Sequence, residues 1–359
     1  MYTEIVLQTD KKINAARREF MTLYVAGMIQ SRSVHSKDVA SFMDSGVKID
    51  SDIRRIERFY EGYIIDYKLF AMLLCLCIPQ GRVNLCMDRT EWKFGDTWHN
   101  ILAITVQFGS TSIPIWVEIL DKSRGASNFE ERKAALQMVF QLLGKKRIRA
   151  FFADREFIGP EWMDFLLLNH IHFFIRLRNN QYFEYHGKKR QICKMLNGKS
   201  QRLFDDIGIY DTRLSLGIFK AENGKDMVAI LTNTTAKRSR KMYRKRWSIE
   251  VFFQSLKQRG FNLEQTHIKE HQRLRQLIIM ASLAFVLCLA IGVYLHCKVK
   301  KIPLKKHGYK AVSFARRGLD FIRETFKLNR SAKRIFNQLL DSIFEQWTIY
   351  HAQLKKIVG

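Results

Sequence analysis

Residues 237–260, KRSRKMYRKRWSIEVFFQSLKQRG, decide how the chain is interpreted, and they predict one continuous helix. The stretch contains no proline, and its only glycine is its last residue, where a helix is expected to stop. Residues seven positions apart in an α-helix differ by only about 20° around its axis. Tyr243, Glu250 and Lys257 have this spacing and therefore share a face. Arg246 lies about 60° to one side of Tyr243 on that face.

A lone carboxylate among so many cations has two interpretations. Glu250 could bind a metal ion. It could instead form helical salt bridges with Arg246 and Lys257, each of which contributes only about 0.2–0.5 kcal/mol. The helix alone does not separate these alternatives, so the rest of the chain decides between them.

The composition indicates a folded protein with a polyanionic partner. Of the 359 residues, 47% are hydrophobic, 26 are phenylalanine and only 4 are proline, which suffices for a sizeable core and roughly two or three domains. This composition excludes a disordered chain. The net charge of +27 favours nucleic acid as the partner, with a ribosome-like or membrane-surface basic protein as the alternative.

The positive charge is concentrated towards the C-terminus. Residues 1–80 carry 11 basic and 10 acidic side chains, whereas residues 237–359 carry 27 basic and 7 acidic ones. The polyanion is therefore expected to lie mainly along the C-terminal third of the chain.

The cysteines and the N-terminus point to a cytoplasmic protein. The six cysteines include no CxxC pair of the kind that binds zinc, and they stand mostly in apolar surroundings, as reduced and buried thiols do. The N-terminal sequence MYTEIVLQTDKK lacks the apolar core of a signal peptide. We therefore expect a cytoplasmic location.

One segment has the length of a membrane span. Residues 277–295, LIIMASLAFVLCLAIGVYL, contain no charged side chain over 19 residues and have basic residues on both sides. A fully buried helix of a globular domain is apolar all round as well. Because the segment stands alone and follows the helix of Glu250, we favour the buried helix and expect no membrane partner.

The first 79 residues predict an all-α domain. Residues 12–78 carry apolar side chains at helical spacing, and SKDVASFMDSG is interpreted as a short helix with Ser36 as its N-cap. The next helix, SDIRRIERFYEG, begins with a second serine cap and carries Arg54, Arg55 and Arg58. Short helices of this kind are typical of a helix-turn-helix-like module. The alternative is a packing domain, which the nearly balanced charge favours.

The pattern changes from helix to strand after Pro79. Apolar runs rich in β-branched and aromatic residues predict strands at 83–87, 102–108 and 113–119, which can form a meander. A helix at 128–143, a strand at 148–153, a helix at 161–168 and a strand at 171–177 follow. The sequence therefore predicts an α/β architecture with a mixed sheet and flanking helices.

Two carboxylates stand where two of these buried strands are predicted to end. Asp88 follows the first strand in LCMDRTEW, and Asp154 follows the fourth in FFADREFIG. A single aspartate at a strand end is usually a turn or cap residue. Two of them, with Glu250 on a helix packed against the same sheet, predict carboxylates that converge on a divalent cation. Oxygen ligands suit Mg²⁺ or Mn²⁺, and two such ions support phosphoryl transfer.

The remaining segments are predicted to surround this core. Strands are predicted at residues 202–211, 212–221 and 226–233. Residues 178–232 are therefore interpreted as a β-rich insertion before the helix of Glu250. Residues 298–359 predict a basic helical tail that either contacts DNA or presents a solvated basic face.

These features resemble the DDE transposases of bacterial insertion sequences, specifically the insertion sequence 4 family. That family carries a Y-x2-R-x3-E-x6-K signature around its catalytic glutamate, and the residues matching it are Tyr243, Arg246, Glu250 and Lys257. LCMDRTEWKFG and ADREFIGPEW resemble its two aspartate motifs. The resemblance extends from about residue 20 to about residue 300. It implies a ribonuclease H-like catalytic core formed by residues 80–177 and 233–297.

The resemblance also implies a reaction, namely cut-and-paste transposition. Asp88, Asp154 and Glu250 would hold two Mg²⁺ ions, with Mn²⁺ as a substitute, while water and then a 3′-hydroxyl attack DNA phosphates. The protein would bind terminal inverted repeats and target DNA as a homodimer in a paired-end complex. In a bacterial cell it would be associated with the nucleoid.

The same resemblance implies DNA contacts on the glutamate helix. Tyr243, Arg246 and Lys257 would hold the phosphate backbone near the cleavage point, and such contacts position DNA without reading its sequence. Trp247 either stacks on a base taken out of the duplex or belongs to the core.

Two other functions stay open from the sequence. The first is a basic DNA-binding remnant without catalysis, which the intact carboxylates and signature disfavour. The second is a two-metal nuclease on the same fold, which cuts DNA without strand transfer and which the sequence does not separate from a transposase.

Overall fold

A computed structural model of the chain describes residues 13–78, 80–122, 124–221, 224, 226–306 and 310–328. The chain divides into two units. We call Gly81–Glu91 and Asn100–Val251 the sheet unit, and Met1–Gln80, Trp92–His99 and Phe252–Gly359 the helical unit.

The described residues form ten strands and ten α-helices. The strands are β1 (Val83–Phe94), β2 (Thr97–Phe108), β3 (Thr111–Leu120), β4 (Ile148–Ala153), β5 (Phe173–Leu177), β6 (Tyr182–Tyr185), β7 (Lys188–Gln191), β8 (Gln201–Ile209), β9 (Thr212–Lys220) and β10 (Met227–Thr232). The helices are α1 (Ala15–Ser31), α2 (Ser36–Ala40), α3 (Ile49–Gly62), α4 (Tyr67–Leu76), α5 (Phe129–Leu143), α6 (Pro160–Leu168), α7 (Ala236–Tyr243), α8 (Trp247–Gln254), α9 (His271–Tyr294) and α10 (Phe314–Leu328).

All ten strands belong to one mixed sheet, in the order β3-β2-β1-β4-β5-β10-β9-β8-β6-β7. The strands β1, β4 and β5 pair in parallel, whereas β2 and β3 pair antiparallel. The parallel connections run through helices, with α5 before β4 and α6 before β5, as parallel pairing requires. An antiparallel meander followed by two parallel strands is the ribonuclease H-like arrangement, so the predicted fold class is confirmed.

The strands after β5 continue this sheet. β10 pairs antiparallel with β5, and β9 and β8 follow in antiparallel pairing. The segment predicted as a β-rich insertion is therefore rich in strands that are hydrogen-bonded to the core sheet through β10. Its boundaries at residues 178 and 232, like the other domain boundaries inferred from the sequence, stay predictions.

Local sequence signals explain where the two helices flanking the parallel strands begin. Asn128 and Glu131 form a capping box at the start of α5: the Asn128 side chain accepts from the Glu131 N–H at 2.9 Å, and Glu131 accepts from the Asn128 N–H at 2.7 Å. Pro160 occupies the first turn of α6, where its missing N–H costs nothing. Both starts agree with the sequence prediction to within one residue.

Two N-caps in the helical unit differ from the prediction. The predicted N-caps were Ser36 and Ser51. In the structure His35 is the N-cap of α2 and Lys48 is the N-cap of α3, and neither forms a side-chain capping bond. The first turn of α3 contains Asp50 and Asp52, whose charges favour a helix N-terminus. The N-terminus of α3 is therefore stabilised by acidic residues in its first turn and not by a side-chain cap.

The apolar segment 277–295 lies in α9 except for Leu295, which begins a π-helical segment, Leu295–Val299; α9 packs against α10, α1 and α4 of its own unit. The helical residues His271–Val299 are long and apolar enough to cross a membrane. Within their most apolar 18-residue segment, 83% is buried inside the structure. The α9–α10 contact is close because Gly292 and Gly318 lie on it; a Cβ on Gly292 would stand 1.7 Å from the Phe314 carbonyl oxygen. Of the predicted basic tail, residues 329–359 lie outside the described part of the chain.

Candidate active site

Parallel pairing of β1 with β4 places two of the predicted carboxylates on neighbouring strands. The last register pair of these strands is Met87 with Ala153, so Asp88 and Asp154 follow at the same level. Neighbouring strands are about 4.8 Å apart, which sets the scale of the spacing. Asp154 follows the end of β4 as predicted, but the prediction that β1 ends at Met87 was wrong. β1 runs on to Phe94, so Asp88 lies within the strand where its pairing with β4 stops.

The third carboxylate, Glu250, is carried by a helical stretch that is less regular than the sequence predicted. α7 passes through a 3-10 turn at Arg244–Arg246 into α8, and a π-helical segment at Ser255–Arg259 follows. A uniform α-helix over residues 237–260 was therefore wrong in two places. Because those segments turn by a different angle per residue, the seven-residue spacing does not define a common face along the whole stretch.

Buried polar contacts hold the start of α8 on the sheet. The Ser112 hydroxyl of β3 donates to the Ser248 carbonyl at 3.1 Å, and the Ser248 hydroxyl lies 3.5 Å from the Cys86 sulfur of β1. Cys86 and Asp88 are two residues apart on one strand, so they point to the same face. Burial raises the pKa of the Cys86 thiol to about 12, so this residue is a packing group. The contacts place Glu250 on the face that Asp88 occupies.

Arg246 joins two of the carboxylates. Its Nη1 donates to Oδ2 of Asp88 at 3.1 Å, and its Nη2 donates to Oε1 of Glu250. The side chains of Arg246, Asp88 and Glu250 are only 12%, 17% and 27% exposed. The guanidinium is thus a largely buried counter-ion for a pair of acidic groups that are far apart in sequence.

Tyr243 holds the third carboxylate. Its hydroxyl donates to Oδ1 of Asp154 at 3.1 Å, and its ring centroid lies 5.6 Å from the Arg246 guanidinium carbon. Through these two residues Asp88, Asp154 and Glu250 form one connected polar cluster. The structure therefore brings the three acidic residues, Tyr243 and Arg246 together in the sheet unit.

The pKa values report how strongly these groups interact. Burial raises the pKa of Asp88 to about 6; Arg246 and the N–H of Arg89 oppose this rise, while Asp154 and Glu250 add to it. Burial also raises the pKa of Tyr243. Burial would lower the pKa of Arg246, but Tyr243 and the carboxylates outweigh it and the pKa is raised. The cluster is one in which acidic groups repel one another and a cation relieves the repulsion.

The donor chemistry of the cluster fits a divalent metal ion. All three acidic groups are carboxylates, which are the ligands that Mg²⁺ and Mn²⁺ prefer, and a cation already lies against two of them. As the side chains stand, the described part of the chain contains no group of three His, Cys, Asp or Glu side chains arranged to hold a metal ion. In this arrangement Arg246 contacts Asp88 and Glu250, and Tyr243 contacts Asp154.

The two remaining predicted DNA-binding residues have different environments. Trp247 follows Arg246 and is 57% exposed, so the interpretation of this tryptophan as a core residue was wrong. Lys257 belongs to the helical unit, where its ammonium lies 5.3 Å from the centroid of the Trp92 ring and 4.0 Å from Oε1 of Glu264. Burial lowers the pKa of Lys257, and Glu264 opposes that effect.

Sequence reasoning missed the ionic residues beside both aspartates. Arg89 follows Asp88, and its guanidinium binds Glu156, which stands two residues after Asp154. A signal for this pairing was present, because each aspartate is followed directly by an arginine in MDRTEW and ADREFIG. Such a repeat shows that charge is concentrated at the site, although it does not show which side chains pair.

Comparison with known protein families identifies the family of the chain. The transposase DDE domain family matches residues 79–287, more than half of the chain. The chain belongs to this transposase family. As a DDE transposase it is an enzyme of metal-dependent DNA phosphoryl transfer, and the matched segment includes all three carboxylates of the cluster.

Two further comparisons have different outcomes. No curated protein matches the DDE transposase chain significantly. Among solved structures it is similar to a piggyBac transposase synaptic complex with hairpin DNA, determined by cryo-electron microscopy, at 13% identity and a TM-score of 0.46. That alignment covers 95% of this chain and 80% of the other.

Proposed function

We propose that this DDE transposase uses Asp88, Asp154 and Glu250 as its catalytic triad and moves a bacterial insertion sequence of the insertion sequence 4 family. The support is the cluster itself: a residue within β1, a residue after β4 and a residue of α8 meet around one guanidinium and one tyrosine hydroxyl. A purely structural salt bridge would not need a third carboxylate, Asp154, held beside the Asp88–Arg246–Glu250 contact by Tyr243.

The three carboxylates are proposed to hold two Mg²⁺ ions, for which Mn²⁺ substitutes. Divalent ions at such a site stabilise the attacking and leaving oxygens of a phosphoryl transfer. For the carboxylates to serve as ligands, Arg246 must release Asp88 and Glu250, and Tyr243 must release Asp154. The freed guanidinium and hydroxyl are donors of the kind that bind phosphate oxygens, so the same two residues are proposed to hold the DNA backbone.

Trp247 and Lys257 are proposed to complete the DNA contacts. The exposed indole of Trp247, next to Arg246 in sequence, is available to stack on an unpaired base, a contact worth about 1–3 kcal/mol. Lys257 would act as a phosphate contact after leaving its position over Trp92. Both roles follow the family signature and stay predictions.

The partners proposed are the terminal inverted repeats, the target DNA and a second copy of the chain in a paired-end complex. The net charge of +27 supports a polyanionic partner of this size. We infer that the protein acts in the cytoplasm of a bacterium, at the nucleoid. Inverted repeats in the DNA that flanks the reading frame would identify the substrate.

The test is cleavage of labelled DNA that carries those flanking repeats. We expect the wild-type chain to cut it in Mg²⁺, and Asp88→Asn, Asp154→Asn and Glu250→Gln each to abolish cutting while retaining binding of the ends. Asp206→Asn is a matched control, because Asp206 is an exposed carboxylate of the same unit bound to Arg213. A triad variant that cuts at the wild-type rate would exclude that residue from the triad.

Strand transfer separates this function from the second candidate, a two-metal nuclease on the same fold. The transposase is expected to join the 3′-hydroxyl of the cut end to a target plasmid. Cleavage without any joined product would favour the nuclease, whereas end binding without cleavage would favour a non-catalytic DNA-binding remnant.

A further inference from the structure

Arg89 occupies a special position in the sheet unit because it touches both aspartate segments. Its main-chain N–H donates to Oδ1 of Asp88 at 2.9 Å. Its guanidinium forms a bidentate contact with Glu156: Nε donates to Oε1 at 3.0 Å, and Nη2 donates to Oε2 at 3.0 Å. Such two-point contacts fix direction as well as distance.

Glu156 lies on the turn that carries Asp154. The Phe157 N–H donates to the Asp154 carbonyl at 3.0 Å, so residues 154–157 form a closed turn after β4. Phe157 is fully buried, and the Arg132 guanidinium lies 5.2 Å from its ring centroid. The turn is therefore anchored by Phe157 on one side and by the Arg89–Glu156 contact on the other.

Two further contacts of the Arg89 guanidinium keep its side chain in one orientation. Its Nη1 donates to Oε1 of Glu91 at 2.6 Å and to Oδ1 of Asn100 at 3.1 Å. Glu91 also accepts from the Gly125 N–H at 3.2 Å, and Asn100 donates to the Gly125 carbonyl at 2.9 Å. The side chain of Arg89 is only 14% exposed, so solvent does not compete strongly for these donors.

The side-chain contacts of Arg89 do not use the three carboxylates of the triad; only its main-chain N–H contacts one of them, Asp88. Arg89 binds Glu156 and Glu91, whereas Arg246 binds Asp88 and Glu250. The two arginines thus have separate tasks: Arg246 neutralises the cluster, and Arg89 connects the strand of Asp88 to the turn of Asp154.

We propose that Arg89 is a positioning residue that sets the spacing between the Asp88 and Asp154 carboxylates through Glu156, and thereby the affinity of the site for divalent metal. This inference rests on the proposed function, because it assumes that both aspartates are metal ligands. Residues that orient metal ligands without touching the metal affect binding when removed, typically by about 10- to 100-fold.

The experiment is a calorimetric titration of the full-length, DNA-free protein with Mn²⁺, together with thermal melting in EDTA. Arg89→Gln and Glu156→Ala, which break the contact from opposite ends, are each expected to weaken Mn²⁺ binding by about 10- to 100-fold. Arg89→Lys keeps the charge but loses the two-point contact. Its affinity for Mn²⁺ is expected to lie between those of Arg89→Gln and the wild type.

The matched control is Arg213→Gln, which breaks another two-point pair of the same unit, Arg213 with Asp206, at 2.8 and 2.7 Å. Arg213 lies on β9, which three strands separate from β1 in the sheet order, so its loss should leave Mn²⁺ binding unchanged. If Arg89→Gln and Glu156→Ala melt earlier but bind Mn²⁺ like the wild type, Arg89 is only structural and the inference is wrong. If Arg89→Gln does not fold, Glu156→Ala decides by the same criterion.

The proposed function can fail separately. In that case the wild-type chain would either fail to bind Mn²⁺ or bind it as tightly as Asp88→Asn does. Binding that depends on Asp88 but not on Arg89 or Glu156 would refute only the positioning role.

Discussion

Arg246 donates to Asp88, a residue 158 positions earlier in the chain, and through its other terminal nitrogen to Glu250 in its own helical stretch. The contact connects β1 of the sheet to the helical stretch that carries Glu250. It also explains how acidic groups can lie together in the described structure: the guanidinium carries the positive charge that they require. Metal binding and the release of Arg246 should therefore be coupled.

This coupling predicts the behaviour of Arg246→Gln. Without the guanidinium, Asp88 and Glu250 lose their counter-ion, so the protein in EDTA should be less stable by about 1–3 kcal/mol. Added Mg²⁺ should raise the melting temperature of Arg246→Gln by more than that of the wild type, because no guanidinium has to be displaced. Lys241→Gln, an exposed basic residue of α7, is the control. Equal Mg²⁺ shifts in Arg246→Gln and the wild type would contradict the coupling.

The close contact between α9 and α10 gives a second prediction. A Cβ on Gly292 would stand 1.7 Å from the Phe314 carbonyl oxygen, and one on Gly318 would stand 1.9 Å from the Cys288 carbonyl oxygen. Gly292→Ala and Gly318→Ala should each destabilise the protein by about 3 kcal/mol or more in chemical denaturation, because backbone must move. Gly62→Ala, at the end of α3 with open space around it, should change stability by less than about 0.5 kcal/mol. Tolerance of alanine at position 292 would mean that the helices do not approach this closely.

The third prediction concerns Lys257. If its ammonium leaves the Trp92 ring to bind a DNA phosphate, Lys257→Ala should weaken the end complex, and the loss should be larger at low salt, because removing one phosphate contact lowers the salt slope of binding by about 1. Gel-shift titrations at two salt concentrations measure this. Lys257→Arg keeps the charge, so its affinity for the DNA ends should be closer to that of the wild type. An equal loss for Lys257→Ala and Lys257→Arg at both salt concentrations would indicate a packing role over Trp92.

The fourth prediction concerns the apolar helix α9. Its side chains are mostly buried against helices of the same unit, so we expect the protein in the supernatant after a carbonate wash of cell membranes. Ser282, buried on α9, offers a check on this packing: Ser282→Arg should unfold the helical unit and abolish soluble expression, because an unpaired charge would be buried. Retention of the wild-type chain in the washed membrane would show that this helix contacts lipid.

Two strands of the core, β4 and β5, could be predicted closely because they are short and almost wholly apolar. β4, IRAFFA, is buried at five of six positions, and its apolar run ends where the strand ends. The same rule failed for β1, which continues past Asp88 through charged residues. Residues 88–91 are half-buried and three of the four are charged, so an apolar run could not mark the end of this strand.

The sequence could predict which residues form the candidate site, but not most of the contacts between them. The spacing of Tyr243, Arg246 and Glu250 identified residues that do meet, since α7, the 3-10 turn and α8 follow one another without a break. Lys257 lies beyond Gln254 in a π-helical segment that no spacing rule anticipates. The contact of Arg89 with Glu156 depends on the register between β1 and β4, which a single sequence does not reveal.

Iron-directed cleavage of the polypeptide tests most directly whether three distant segments share one metal site. Fe²⁺ bound in place of Mg²⁺, with ascorbate and peroxide, generates radicals that cut the nearest backbone. The account predicts cuts near residues 88, 154 and 250 in the wild type, all suppressed by excess Mg²⁺ and all lost together in Asp154→Asn. Cuts at only one of these segments, or cuts that survive in Asp154→Asn, would contradict a shared metal site and with it the proposed triad.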